Sequence, residues 1–202
     1  MNEFIVYVNG KFVKESNAKI SFNDASFLYG DGLFETIRFD NNRLFLPEKH
    51  LARLKSGLTA MNIAININNM ELLEILNKVI ASNSLNAGLL RLMITRGEIS
   101  GSPWNYTGSP NIYIKIRGIS SLPSSPAKVV FLPESNYPII RFNPAIKSMN
   151  YIGNMRAKND AEEMGAYEPV FFNTNNIITE CAIRNIFFIK NEKLLTPSLD
   201  LG

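Results

Sequence analysis

Cysteine and histidine are nearly missing from this chain: Cys181 and His50 are the single representatives of their types among 202 residues. One cysteine cannot close an intrachain disulfide, which suits a reducing, cytoplasmic setting. One histidine and one cysteine cannot furnish a His/Cys zinc site, so no metal ligands are assigned. Any Ser-His-Asp or Cys-His arrangement would have to run through His50 itself. Long apolar runs are missing too, and none approaches the roughly 20 residues that span a bilayer, so no membrane partner is expected. The opening stretch MNEFIVYVNGKFV alternates like a strand and lacks the basic start and cleavage site of a signal peptide. Nor is there a surplus of one charge. The 21 basic and 18 acidic residues leave a formal +3 with no basic stripe interleaved with aromatics, so nucleic acid is not an expected partner. If the chain is an enzyme, lysine, tyrosine, carboxylates or a borrowed cofactor must do most of its chemistry.

What is present is ample apolar material. With 46% hydrophobic residues the chain can build one large or two small cores. Phe4, Val6 and Val8 alternate with Ile5, Tyr7 and Asn9, and Asn9-Gly10 is a hairpin dipeptide. LFETIRF and NNRLFL repeat the pattern around Asp40-Asn41-Asn42. From Pro47 the period becomes helical, with Leu51, Leu54, Leu58 and Met61 on one face, and a second helix is expected across NNMELLEILNKVIASNS. GLLRLMITRG and NIYIKIRG look like adjacent strands. The Ser/Pro-rich GISSLPSSPA then reads as a linker. Beyond it come strand KVVFL, a helix from about Asn150 to Met164, and strands PVFFN, IITECA and NIFFIK. Two α/β lobes follow, residues 1–117 and 128–202, joined by 118–127.

Four places could carry chemistry. Lys147 lies among apolar and aromatic neighbours, just before the expected helix. A helix N-terminus and partial burial both disfavour a second positive charge, which favours a neutral, nucleophilic amine of the kind that condenses with aldehydes. A snorkelling lysine at a helix start is the alternative. Glu180 is a lone carboxylate between strand-like apolar runs, and a buried carboxylate needs a cationic partner. A pyridinium nitrogen or a side chain such as Arg184 would serve equally. His50 and Arg53 share one helical face, where the arginine suits either bidentate phosphate binding or a surface salt bridge. Gly30-Asp31-Gly32 makes a tight turn but lacks both the third glycine of a dinucleotide fingerprint and a phosphate-loop lysine.

Together and in this order, YGDGLFETIR, HLARL, IKSMNYIGNMRAKNDAEEMGAYEPVFF and ITECAIRNIFFI...LLTPSL resemble the class IV aminotransferases, the fold-type IV pyridoxal-phosphate enzymes. That family includes branched-chain and D-amino-acid aminotransferases and aminodeoxychorismate lyase. The resemblance covers essentially the whole chain. It implies an α/β (α+β), two-lobed fold with a smaller N-terminal and a larger C-terminal, cofactor-binding lobe. Pyridoxal 5′-phosphate is the implied cofactor, held as an internal aldimine by Lys147, which also shuttles protons. The resemblance further implies that Arg53 grips the cofactor phosphate, Glu180 pairs with its pyridine nitrogen and Tyr151 lies near its 3-hydroxyl. Phe34, Glu35, Arg91 and Arg96 fall in segments that shape the substrate pocket. Family members continue past LLTPSLDLG, so part of the C-terminal lobe is expected to be absent from this chain.

The implied reaction is ping-pong transfer of an amino group between an amino acid and a 2-oxo acid. Aminodeoxychorismate lyase, which eliminates pyruvate to give 4-aminobenzoate, is the alternative within the family. The loop RGEISGSPWNYTGSP lacks the glycine-arginine-rich run associated with many lyases, which favours transamination. A truncated, non-catalytic binding protein is the third reading. The resemblance also implies a homodimer, with Trp104 and Tyr106 at its interface.

Overall fold

The computed structural model describes residues 3–106, 108–121, 123–142 and 145–201. The chain divides into two units. The first holds Met1–Ser120 together with Ile146–Met149, the second Ser121–Ala145 and Asn150–Gly202. This departs from the expected boundaries in one respect that matters: the segment containing Lys147 returns to the first unit. Within this chain the first unit is also the larger.

The first unit is built on a six-stranded sheet. Strands β1 (Ile5–Val8) and β2 (Lys11–Lys14) form the hairpin turned by Asn9 and Gly10, both at positive φ, as that dipeptide requires. A short helix α1 (Ala25–Tyr29), not foreseen in the sequence, follows an Asp24 cap. Then come β3 (Gly32–Asp40), β4 (Arg43–Leu44), α2 (Pro47–Ala60), α3 (Asn69–Ala81), β5 (Ala87–Thr95) and β6 (Asn111–Arg117). The sheet order is β2-β1-β6-β5-β3-β4. Proline opens α2, where its missing N–H costs nothing. A reciprocal Asn68–Glu71 capping box opens α3. Leu51, Leu54 and Leu58 of α2 and Leu72, Leu76, Val79 and Ile80 of α3 pack on Leu33, Ile37, Phe39, Leu90, Leu92, Ile94, Ile114 and Ile116 of the sheet. Strand alternation sends the intervening residues of β3 and β5 to the opposite face.

In the second unit β7 (Val129–Pro133) runs parallel to β8 (Glu168–Phe172) through the crossover helix α4 (Ile152–Glu163), and β9 (Ile178–Cys181) pairs antiparallel with β8. Helix α4 buries Gly153, Asn154, Ala157 and Ala161, small side chains that suit a close approach to the sheet. The run expected as one strand, NIFFIK, is half of a hairpin, β10 (Phe188–Lys190) and β11 (Lys193–Leu195), turned by Asn191 and Glu192 at positive φ. No helix among the described residues is long and apolar enough to cross a membrane.

Candidate active site

Lys147 does not sit at a helix start. Helix α4 begins at Ile152, beyond the single turn over which a helix terminus exerts its field, so the dipole argument for this lysine fails. The backbone instead forms a short antiparallel extension of β3. The Phe34 amide donates to the Lys147 carbonyl at 2.9 Å, the Met149 amide donates to the Gly32 carbonyl at 2.9 Å, and Ser148 bridges Leu33. Two glycines make room for this segment. A Cβ on Gly32 would lie 2.9 Å from both the Ile94 carbonyl oxygen and the Met149 sulfur, and one on Gly57 would lie 3.2 Å from Ile146 Cγ2. Ile146 packs on the first unit's core. Lys147 is therefore held by its neighbours' backbone and apolar contacts.

The partly buried Lys147 side chain reaches the Phe34 ring, with Nζ 5.0 Å from its centroid. Arg91 reaches the same ring, with Cζ at 3.9 Å. Register explains the meeting. Phe34 lies opposite Met93 and Thr36 opposite Arg91, so Arg91 and Phe34 are diagonal neighbours on one face. The structure thus brings together three of the residues singled out in the sequence: Lys147, Phe34 and Arg91.

Glu35 points the other way, toward α2, and is 1% exposed. Arg53 donates to it twice, Nε to Oε1 and Nη2 to Oε2, both at 2.6 Å, and His50 Nδ1 lies 2.8 Å from Oε2. Burial pushes the Glu35 carboxyl up, but hydrogen bonds from His50 and Arg53 and their charges outweigh it and hold it below the usual carboxylate range. An ionised Glu35 only accepts, so His50 carries its proton on Nδ1. Arg53 keeps 45% of its side chain exposed while its Nε edge is fixed in plane. Glu35, expected at the substrate, is placed to aim Arg53 instead. Arg96 is likewise absorbed by the fold. Its Nε donates to Asp31 at 2.6 Å, and Nη2 and Nη1 donate to the Met61 and Asn62 carbonyls at 2.8 and 3.2 Å.

In the second unit, Tyr151 takes the N-cap position of α4. Glu180 lies on β9 and pairs with Arg141, whose guanidinium also bonds Glu134 and Thr179. The side chain weighed as a partner, Arg184, pairs with buried Glu168 and stacks on Tyr167 instead. Sequence reasoning missed Arg141 and Glu134. The available signal was that a carboxylate between apolar strands demands a cation, and RFNP supplies one as readily as ECAIR. Burial first, then the negative charges of Glu168 and Glu180, push the Cys181 thiol up to about 11, so it stays protonated and unreactive at neutral pH. No group of three or more metal-binding side chains occurs among the described residues.

The chemistry of these groups fits a phosphorylated pyridine aldehyde: the first unit carries a primary amine and a guanidinium fixed in plane, and the second, taken by itself, a carboxylate that remains 41% exposed after pairing. Residues 32–202 match the family model for amino-transferase class IV. The aminodeoxychorismate lyase of Bacillus subtilis is 32% identical over 203 residues, spanning 98% of this chain and 69% of that protein. The D-alanine aminotransferase of Listeria monocytogenes is 29% identical over 202 residues, spanning 96% and 68%. Among solved structures, a T.th. branched-chain amino acid aminotransferase complexed with N-(5′-phosphopyridoxyl)-L-glutamate superposes with a TM-score of 0.84 at 19% identity, covering 100% of this chain and 69% of that one. The chain belongs to the class IV amino-transferases, a family of pyridoxal-phosphate enzymes.

Proposed function

We propose that this protein uses pyridoxal 5′-phosphate to move an amino group between an amino acid and a 2-oxo acid. One observation carries the reading: Lys147 and Arg91 converge on the Phe34 ring, a primary amine beside a guanidinium. A 2-amino acid presents the complementary pair, a carboxylate for Arg91 and an α-carbon for chemistry at Lys147. Lys147 would attach the cofactor through Nζ. Arg53, aimed by Glu35 and His50, would take its phosphate, and Glu180 its ring nitrogen, with Tyr151 near the ring hydroxyl. Bound so, the cofactor supplies an electron-withdrawing ring that accepts the electron pair left when the substrate's α-proton departs. Lys147 Nζ would take that proton from the substrate's α-carbon and return it to the carbon that carried the cofactor's aldehyde. Phe34 closes one wall of the site and excludes water from it.

The second reading, elimination of pyruvate from aminodeoxychorismate, is favoured by the identity to the Bacillus lyase. A paired assay separates the two: amino-acid turnover with 2-oxoglutarate against pyruvate release from aminodeoxychorismate. Transamination without pyruvate release is expected, and the opposite pattern overturns the first reading. Borohydride reduction of the cofactor-loaded protein, followed by peptide mapping, is expected to label Lys147. A label on another lysine removes the basis of both.

We place the protein in the cytoplasm as a homodimer. Trp104 is 76% exposed, and Phe22, Phe27 and Tyr29 in the first unit are each more than half exposed, an apolar surface that suits a second copy. Sedimentation with and without pyridoxal phosphate tests the assembly; a fully active monomer at assay concentration overturns it.

A further inference from the structure

We propose that Arg141 is a positioning residue that holds the Glu180 carboxylate aimed at a cationic ring nitrogen. The inference rests on the pyridoxal-phosphate reading above and concerns what makes Glu180 fit for it. Arg141 lies in the extended segment before Lys147, and its side chain is 22% exposed. Nη1 donates to Glu180 Oε1, Nη2 donates to Glu134 Oε1, and Nη2 also reaches Thr179 Oγ1 at 3.2 Å. The Thr179 hydroxyl in turn donates to Glu134 Oε1. The far side of the guanidinium is thus tied to a second carboxylate, itself hydrogen-bonded to a buried threonine on the same strand as Glu180. Rotation of Arg141 would break all of these bonds together.

The charge count gives the cluster its direction. Two carboxylates face one guanidinium, so Glu134, Arg141 and Glu180 together carry one net negative charge. Burial disfavours the charged guanidinium, but the hydrogen bonds and charges of Glu134 and Glu180 outweigh it, so Arg141 remains a cation. Glu134 is 16% exposed and Glu180 41%, so the uncompensated charge faces outward at Glu180. A second cation completes the cluster there. Glu180 then acts as a fixed anion that keeps the proton on the ring nitrogen.

The test compares two probes on the apoprotein: pyridoxal phosphate and its analogue in which the ring nitrogen is replaced by carbon. Both carry the aldehyde, hydroxyl and phosphate, and only the first can meet Glu180. The parent is expected to bind pyridoxal phosphate more tightly than the analogue. Arg141→Met should weaken pyridoxal phosphate about ten- to a hundredfold while leaving the analogue unchanged, since one charged hydrogen-bonded contact is lost. Retained analogue binding shows that the variant is folded. Arg141→Lys keeps the charge without the two-pronged geometry and should recover part of the preference. Equal weakening of both probes in both variants would assign Arg141 a merely structural role and overturn the proposal. If Arg141→Met does not fold, Arg141→Lys alone decides: an undiminished preference overturns the proposal, and a reduced one supports it. A parent that binds neither probe would instead overturn the cofactor reading itself.

Discussion

Among the described residues, the first unit has a continuous cluster of buried apolar side chains that includes Leu33, Ile37 and Leu92, and the second has Leu132, Ala157, Phe171 and Ala182 clustered, with Ala161, Ala166, Val170 and Cys181 also buried. The means of fixing a functional group differ between them. Lys147 is fixed by backbone pairing to β3 and by Ile146 in the core. Glu180 is held instead by side chains, Arg141 and, through it, a second carboxylate. Backbone pairing leaves a side chain out of the local structure, whereas an ion pair makes the side chain itself part of it.

The largest effect should come from breaking chemistry without breaking structure. Lys147→Ala is expected to lower turnover by at least about 10²–10⁴, the contribution of a positioned proton carrier, and to lose cofactor attachment besides. Its melting temperature should match the parent's, since the pairing with Gly32 and Phe34 uses only main-chain atoms. A variant that loses activity and unfolds together would show that the side chain, not the backbone, holds the segment.

Next come the two cores themselves. Leu92→Ala empties a fully buried site and should cost about 2–5 kcal/mol, lowering hydrogen-exchange protection across β3, β5 and β6. Phe171→Ala should cost about 3–5 kcal/mol but strip protection from β7, β8 and β9 alone. If either substitution deprotects both units equally, they open as one cooperative body and the contrast between them disappears.

Much of this division was legible in the sequence. Periodicity placed α2, α3 and the long strands of the first unit, because each buries one regular face and the pattern records it. The chemistry of the residue types drew attention to Lys147, Arg53 and Glu180, although the helix-start argument for Lys147 does not hold. What could not be read was which partner each charge finds. Arg184 was the side chain weighed for Glu180 in the sequence and Arg141 was missed; only the fold sends Arg141 to Glu180 and Arg184 to Glu168. Glu35 and Phe34 are adjacent, yet strand alternation sends one toward α2 and the other toward Lys147. Deciding which face meets the substrate takes the register with β5, a long-range fact. The short helix α1 and the hairpin β10–β11 escaped because each spans too few residues to show a period.

The smallest expected effect tests whether the first unit needs any ionic strut. Glu35 is buried and ionised, held by Arg53 and His50. Glu35→Gln removes its charge while keeping its shape, and at neutral pH it should cost about 1–3 kcal/mol, the worth of hydrogen bonds to a charged group. The parent's carboxyl is depressed in the folded state relative to its unfolded value of about 4.3. Its contribution is therefore fully present above that value and is lost as pH falls through the lower folded one. Denaturation of parent and variant should show a constant gap between pH 6 and 8 that narrows only below about pH 4. In parallel, apoprotein affinity for inorganic phosphate should fall in the variant, because Arg53 loses the carboxylate that sets its plane. A stability gap that persisted unchanged to pH 2 would show that Glu35 is held by packing rather than charge. Glu35 would then owe its contribution to packing, and its contrast with Glu180 would be complete.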